Sequence, residues 1–236
     1  MTRPGADRRL DLLVALLFGA ALLAFSLASP NIAGGDDAYR HVRFANRLIT
    51  DTKAAFADPW RLNFVPARAD IWFGYHLLLA PFTLVLPLIV AAKLVGVSVW
   101  TATLYALFRF LDSLQVTWRH AWGILAMTGS SIVLYRSLLM RPYLLSLLLV
   151  ILAARYTLEE KSRHLTWISA LHAFSYSIFF FAGLPAAVYF LIRRTGRAFT
   201  LGVLAAVGMF MGLAISPFFP AQPAVLPRRI HHPPGS

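Results

Sequence analysis

Cysteine is missing from this chain of 236 residues, and acids are scarce: ten Asp and Glu stand against 22 Lys and Arg. Without cysteine there is neither a disulfide nor a thiolate metal site, and the redox compartment stays open. Charge of any sign is rare, at 14% of residues, while 58% are hydrophobic and apolar runs follow one another from end to end. A soluble domain of this length does not have that composition. The Walker loop, the dinucleotide glycine fingerprint, HExxH and the nucleophile elbow are lacking too. The formal net charge of +12 suggests nucleic acid at first sight. The cations, however, stand at the ends of apolar runs, where they orient helices and meet anionic lipid headgroups. Anionic lipid is therefore the expected partner, and nucleic acid is not.

The first apolar run, residues 10–28 (LDLLVALLFGAALLAFSLA), is close to the ~20 residues that cross a ~30 Å hydrocarbon core. Arg3, Arg8 and Arg9 before it and "SLASP" after it fit a signal peptide, but the run exceeds the usual h-region and further spans follow, so a retained anchor is favoured. The later runs are residues 71–110, 121–140, 142–156, 165–192 and 198–215. Three basic clusters separate them: Arg109/Arg119/His120, Arg155/Lys161/Arg163 and Arg193/Arg194/Arg197. Short loops rich in Lys and Arg stay cytoplasmic, which puts all three inside with the N-terminus. Residues 165–192 must then cross twice, as a hairpin of two short helices with Gly183 and Pro185 as breakers. Residues 71–110 must cross once, leaving "WFGYHLLLAPFTLVLP" as an interfacial or re-entrant helix ended by Pro81 and Pro87. The expected fold is all-α: a polytopic membrane protein of about seven transmembrane helices plus an external juxtamembrane amphipathic helix. Residues 29–70 form its first external loop.

That loop carries the densest polar stretch, "GGDDAYRHVRFANRL". At 100° per residue Ala38, Val42, Ala45 and Ile49 form one stripe, with Arg40, Arg43 and Arg47 opposite. Gly34-Gly35 gives a flexible entry, and Asp36 or Asp37 can cap the helix and face its positive end. A cap accounts for one acid. A second, adjacent carboxylate needs a cation, a metal or a proton to accept, so capping and a functional acid both stand.

An N-terminal membrane helix followed by an external acidic pair and a juxtamembrane helix resembles the integral-membrane glycosyltransferases of the C superfamily. These include oligosaccharyltransferase catalytic subunits, protein O-mannosyltransferases and lipid A aminoarabinose transferases. The residues that carry the likeness are "GGDDAYRHVRFA", "GYHLLLAPF", "LLMRPYLLSLLLVILA" and "GLAISPFFP". The resemblance covers most of residues 10–220 and makes residues 1–216 a transmembrane glycosyltransferase-like domain. It implies an inverting enzyme that moves a sugar from a polyprenyl-phosphate donor to an acceptor on the outer face of a bacterial inner membrane. Asp36 and Asp37 are then the candidates for general base or metal ligand, with His41 as a further ligand if a divalent cation is used.

The departing phosphate gathers negative charge and needs cations to meet it. Arg40, Arg43, Arg47 and Arg141 are candidates for a bidentate clamp, with lipid attraction the competing account of the three helix arginines. Arg141 stands between Met140 and Pro142 at a helix turn. His76 and Tyr75 open an apolar helix on the outer side, where His76 can face the acceptor and Tyr75 can anchor the interface. His172 and Tyr176 lie inside an apolar run, where interhelical hydrogen bonding competes with catalysis.

From residue 217 to 236 the chain is Pro-rich with Arg and His and no apolar period, an extended tail. Because superfamily members are usually longer, the sequence suggests a truncated or frameshifted member. A membrane transporter and a non-catalytic assembly partner are the alternative functions. The former should show inverted repeats, and no internal repeat is visible.

Overall fold

The computed structural model describes residues 4–30, 36–57, 70–131, 134–135, 139, 141–176 and 178–219, with the backbone alone for residues 4–7, 36 and 37. Every regular element among them is helical. In chain order these are α1 (Pro4–Ala28), α2 (Asp36–Thr50), α3 (Thr52–Ala57), α4 (Phe73–Leu79), α5 (Phe82–Val85), α6 (Leu88–Ser113), α7 (Arg119–Thr128), α8 (Pro142–Leu158), α9 (Ser162–Ser175), a 3₁₀ helix (Phe179–Gly183), α10 (Leu184–Arg193) and α11 (Gly196–Ile215). α1 from Arg8, α6 and α11 are long and apolar enough to cross a membrane. Phe73–Val85, Pro142–Leu158 and Phe179–Arg193 are shorter apolar helices.

Prolines set the breaks. Residues 71–110 form three helices, because Pro81 and Pro87 cap α5 and α6 from outside, where the missing N–H removes no helical bond. Arg141 is extended before Pro142 (φ −111°, ψ 159°), as a residue before proline prefers. Residues 165–192 do hold two short helices, α9 and α10, but each packs mainly on α8 and α11 rather than on the other, and the break comes earlier than Gly183-Pro185. The chain leaves the helix at Tyr176 (φ −146°, ψ 139°). Pro185 lies in the first turn of α10, a position proline favours.

Two polar networks mark opposite ends of the antiparallel pair α1 and α6. At one end Asp11, fully buried, meets Arg109 Nη1 at 2.9 Å, Arg119 Nε at 3.0 Å and His120 Nε2 at 2.7 Å. Arg109 and Arg119 also reach Asp112, at 3.0 and 3.4 Å. The first basic cluster thus joins α1, α6 and α7. The second and third clusters adjoin one another, since Tyr189 donates to Glu160 Oε1 (2.9 Å) and Arg197 to the Glu160 carbonyl (3.0 Å). At the other end of α1, Lys93 of α6, 3% exposed, donates to the carbonyl oxygens of Ser26 (2.8 Å) and Ser29. A cation there satisfies carbonyls left over by the end of the helix.

α9 and α11 approach closely through Gly208 and Gly212. A Cβ on Gly208 would overlap the Thr166 carbonyl oxygen, and one on Gly212 the Ala170 carbonyl oxygen. "GMFMG" is therefore a small-xxx-small seam, the device by which apolar helices bring their backbones together. Gly202 on the same helix has open space around it. Gly212→Ala is expected to lower the thermal midpoint of the detergent-solubilised protein by several degrees, as overpacking costs about 1–3 kcal/mol. Gly202→Ala should leave it unchanged or raise it.

Candidate functional site

α2 lies across the end of the bundle that holds Lys93, against α3, α4, α5 and α6. Its buried face is Ala38, His41, Val42, Phe44, Ala45 and Leu48, a helical stripe. Burying Val42, Phe44 and Leu48 is worth roughly 1.5–3 kcal/mol each. The expected stripe of Ala38, Val42 and Ala45 is present. Ile49, however, is 40% exposed, because the face is turned toward Phe44 and Leu48. Arg43 is exposed, and Arg40 and Arg47 are half-buried at the margins. Asn46 ties α2 to α5 by donating to Thr83 Oγ1 (3.3 Å) and to its carbonyl (3.4 Å).

His41, at the centre of that stripe, is 2% exposed. Its Nδ1 lies 2.8 Å from His76 Nε2, and His76 Nδ1 lies 2.6 Å from Asp70 Oδ2. Asp70 and His76 have no exposed surface. Asp70 is held locally: its Oδ1 accepts the Trp72 N–H at 3.0 Å, an Asx turn that leads into α4. The Trp72 carbonyl then accepts the N–H groups of Tyr75 and His76. Helical side chains lean toward the N-terminus, so the His76 ring reaches back to the carboxylate. Aromatic edges seal the chain: Trp72 and Tyr75 at 5.2 and 5.7 Å from the His41 ring, and Phe44 at 4.8 Å from the His76 ring. Burial pushes the His41 imidazole well below its usual value, helped by the neighbouring His76, Arg141 and Arg40.

The positions named from sequence fall as follows. Asp36 and Asp37 open α2, so both acids sit on its first turn, near the positive end of the helix dipole, while their side chains lie outside the described residues. Gly34 and Gly35 lie outside them altogether. His41 is a full turn beyond Asp37 on the same helix. Arg141, half-buried at the start of α8, sits close enough to His41 to act on it electrostatically. His76, expected to face an acceptor, is wholly buried with both ring nitrogens engaged by Asp70 and His41. His41 Nδ1 is engaged by His76, which takes that nitrogen out of the metal role. Among the described residues no three His or acidic side chains are grouped to hold a metal. The residue missed in the sequence is Asp70, six positions before His76 at the entry to an apolar aromatic helix.

His172 donates or accepts in an interhelical bond with Ser146 of α8 (2.8 Å) and contacts the Phe179 carbonyl (3.2 Å), so it ties α8, α9 and the 3₁₀ helix together. Phe218, assigned to the tail, is buried and packs on Phe56 and Phe73. The tail from residue 220 onward is outside the described residues. A separate apolar cleft of about 490 Å³ between α1 and α6, with Leu16, Gly19, Val97 and Thr101 among its walls, carries no charged group.

Comparison with known protein families, with characterised proteins and with solved structures gives no match for this chain.

His41 offers a pH test. Its folded proton affinity is depressed from the ordinary 6.5, so the unfolded chain binds the proton first as pH falls. The associated stability is fully present above about pH 6.5 and is lost as pH drops toward and through the lower folded value. The groups around the ring are His76, Asp70, Tyr75, Arg40 and Arg141. His41→Asn should be less stable at pH 7.5, and the deficit should shrink at pH 5.5 in thermal unfolding at both pH values. A deficit that stays constant would contradict the depressed affinity.

Proposed function

We propose that this chain is an inverting membrane glycosyltransferase, transferring a sugar from a polyprenyl-phosphate donor to an acceptor on the non-cytoplasmic face of a bacterial inner membrane. The observation that carries the reading is the setting of α2. The helix that opens with Asp36-Asp37 is fastened through His41 to the Asp70–His76 pair, and Arg141 of α8 stands near the same histidine. An acid pair and phosphate-seeking cations thus share one end of the bundle. The resemblance of "GGDDAYRHVRFA" to the acidic loop of the C superfamily supplies the reaction class.

About seven crossings fit this reading: α1, α6, α7, α8, α9, α10 with its 3₁₀ turn, and α11. α7 at 10 residues and α9 at 14 residues would span only ~15 and ~21 Å as helices, so this reading needs further chain beyond α7 and a thinned bilayer or interfacial helix ends at α9. The basic clusters orient the Asp11 end to the cytoplasm and the α2 end outward.

In the proposed reaction Asp37 takes the acceptor proton as the acceptor heteroatom bonds to the anomeric carbon. The bond from that carbon to the phosphate oxygen breaks, and the phosphate leaves with the electron pair. Arg141, Arg40, Arg43 and Arg47 meet the charge that gathers on it. A divalent cation on Asp36, Asp37 and His41 would supply the same neutralisation.

A cap needs a hydrogen-bond acceptor, which Asn provides about as well as Asp, whereas a base or metal ligand needs the charge. Asp36→Asn and Asp37→Asn should leave expression and thermal midpoint nearly unchanged. Asp37→Asn should cut transfer from polyprenyl-phosphate-linked sugar in membrane vesicles by roughly 10²–10⁴-fold. Wild-type transfer in both variants would reduce the pair to a structural cap and remove the acid from the mechanism.

A further inference from the structure

The outward-facing apolar strips of this molecule are short. On α1 the strip runs from Leu10 to Leu27, each 48% exposed, and stops at exposed Arg8 and Arg9. At 1.5 Å per residue it measures ~26 Å. On α11 it runs from Phe199 to Ile215, or ~24 Å, and stops at exposed Arg197. Phe219 does not lengthen it. The helix ends at Ile215, and the Phe219 ring lies 6.5 Å from that of Phe210, back along the strip. The 3₁₀ helix and α10 carry a third strip from Phe180 to Ile192, ~20 Å long, which stops at exposed Arg193 and Arg194.

Polar groups inside the bundle repeat that spacing. α1 and α6 are antiparallel, tied by Asp11 to Arg109 and by the Ser26 carbonyl to Lys93. The two ties stand ~23 Å apart along α1 and ~24 Å apart along α6. α9 ends at Ser175 beside Gly74 of α4, and α11 runs parallel to it through the Gly208–Thr166 and Gly212–Ala170 approaches. Both therefore begin on the Asp11 side, so the arginines that end the three strips share one face of the molecule. The exposed tryptophans gather at that face as well. Trp118 and Trp122 flank Arg119 and His120, and Trp167 follows Arg163 and His164 in α9. Indole rings mark the level where hydrocarbon gives way to headgroups.

We propose that this surface fits a hydrocarbon layer of ~25 Å or less, thinner than the ~30 Å of a typical bilayer, and that the protein accordingly gathers short-chain phospholipids around itself. Tilt shortens the projection of a helix on the bilayer normal, so the measured lengths are upper bounds. A thicker layer would draw Arg8, Arg9, Arg193, Arg194 and Arg197 into hydrocarbon, where a charge is costly. Snorkelling relieves a single long side chain, but five at one level resist together. The inference goes beyond the transferase reading and requires only that the helices lie in a bilayer.

The exposed tryptophans supply the readout. Full-length protein is placed in vesicles of brominated dioleoyl phosphatidylcholine, which quenches indole fluorescence at the lipid-facing surface. Unbrominated phosphatidylcholine with dimyristoleoyl, dioleoyl or dierucoyl chains is then mixed in, so that headgroup and fluidity are held while thickness rises. Dimyristoleoyl lipid should restore the fluorescence several-fold more effectively than dierucoyl lipid at equal mole fraction, with dioleoyl between them. Equal restoration by all three, or an advantage for the longer chains, overturns the proposal. The thermal midpoint in vesicles of each pure lipid gives a second reading. It should be highest in dimyristoleoyl lipid and fall by several degrees toward dierucoyl, and a midpoint that rises with chain length or ignores it overturns the fit.

Discussion

The placement of α2 depends on two histidines and one aspartate removed from water. α2 carries three arginines and two acids in 15 residues, and its apolar face is built largely of small side chains. Such a helix at a bilayer surface can slide, because a lipid interface offers the same apolar contact at every register. The His41–His76 bond at 2.8 Å and the His76–Asp70 bond at 2.6 Å remove that freedom. Buried polar groups left without partners cost about 1–3 kcal/mol each, so displacing the helix by one turn is penalised at every member. The arrangement is specific because it is polar, and the aromatic edges around it make leakage to water costly.

The Asp11 end is built on a different rule. There a single buried carboxylate gathers Arg109, Arg119 and His120. Removing one member of a buried ion pair costs about 3–5 kcal/mol, because it leaves charge uncompensated. This network fixes α1 to α6 and α7, while Lys93 holds the far end of α1 through backbone carbonyls. α1 is thus held at both ends of its length by ionic groups from the same helix, α6. Between those ties α1 keeps an exposed apolar face that includes Leu12, Leu13, Leu16 and Leu17, the surface a membrane-spanning helix would offer to lipid.

Much of the architecture was legible because the relevant signals are local. Apolar runs, prolines and glycines mark helices and their breaks, and the period of "DDAYRHVRFANRL" marks α2 as amphipathic. The errors came where the decisive partner is distant. His41 looks solvated in sequence, since a polar residue on a half-polar helix is normally exposed. Its burial is set by His76, 35 positions away, and no local pattern links the two. The stripe drawn through Ile49 rather than Leu48 follows from counting His41 as polar. Arg109, Arg119 and His120 stand out in the sequence as a basic cluster but not as the partners of Asp11, which lies 98, 108 and 109 residues earlier. Gly208 and Gly212 did carry a readable spacing, yet only the approach of α9 gives it meaning. Asp70 was silent because a lone acid before an apolar helix looks like an ordinary start signal.

The central claim is that His41 and His76 act as one unit in fastening α2 to the bundle. A double-mutant cycle measures it: His41→Leu, His76→Leu and the pair, each followed by its unfolding free energy in detergent. Each single change should be destabilising, because it strands the other ring's buried nitrogen. The double variant should cost less than the two singles together, with a coupling energy of roughly 1–3 kcal/mol. Additivity within about 0.5 kcal/mol would mean that the two rings do not depend on one another and would contradict the account of how α2 is held.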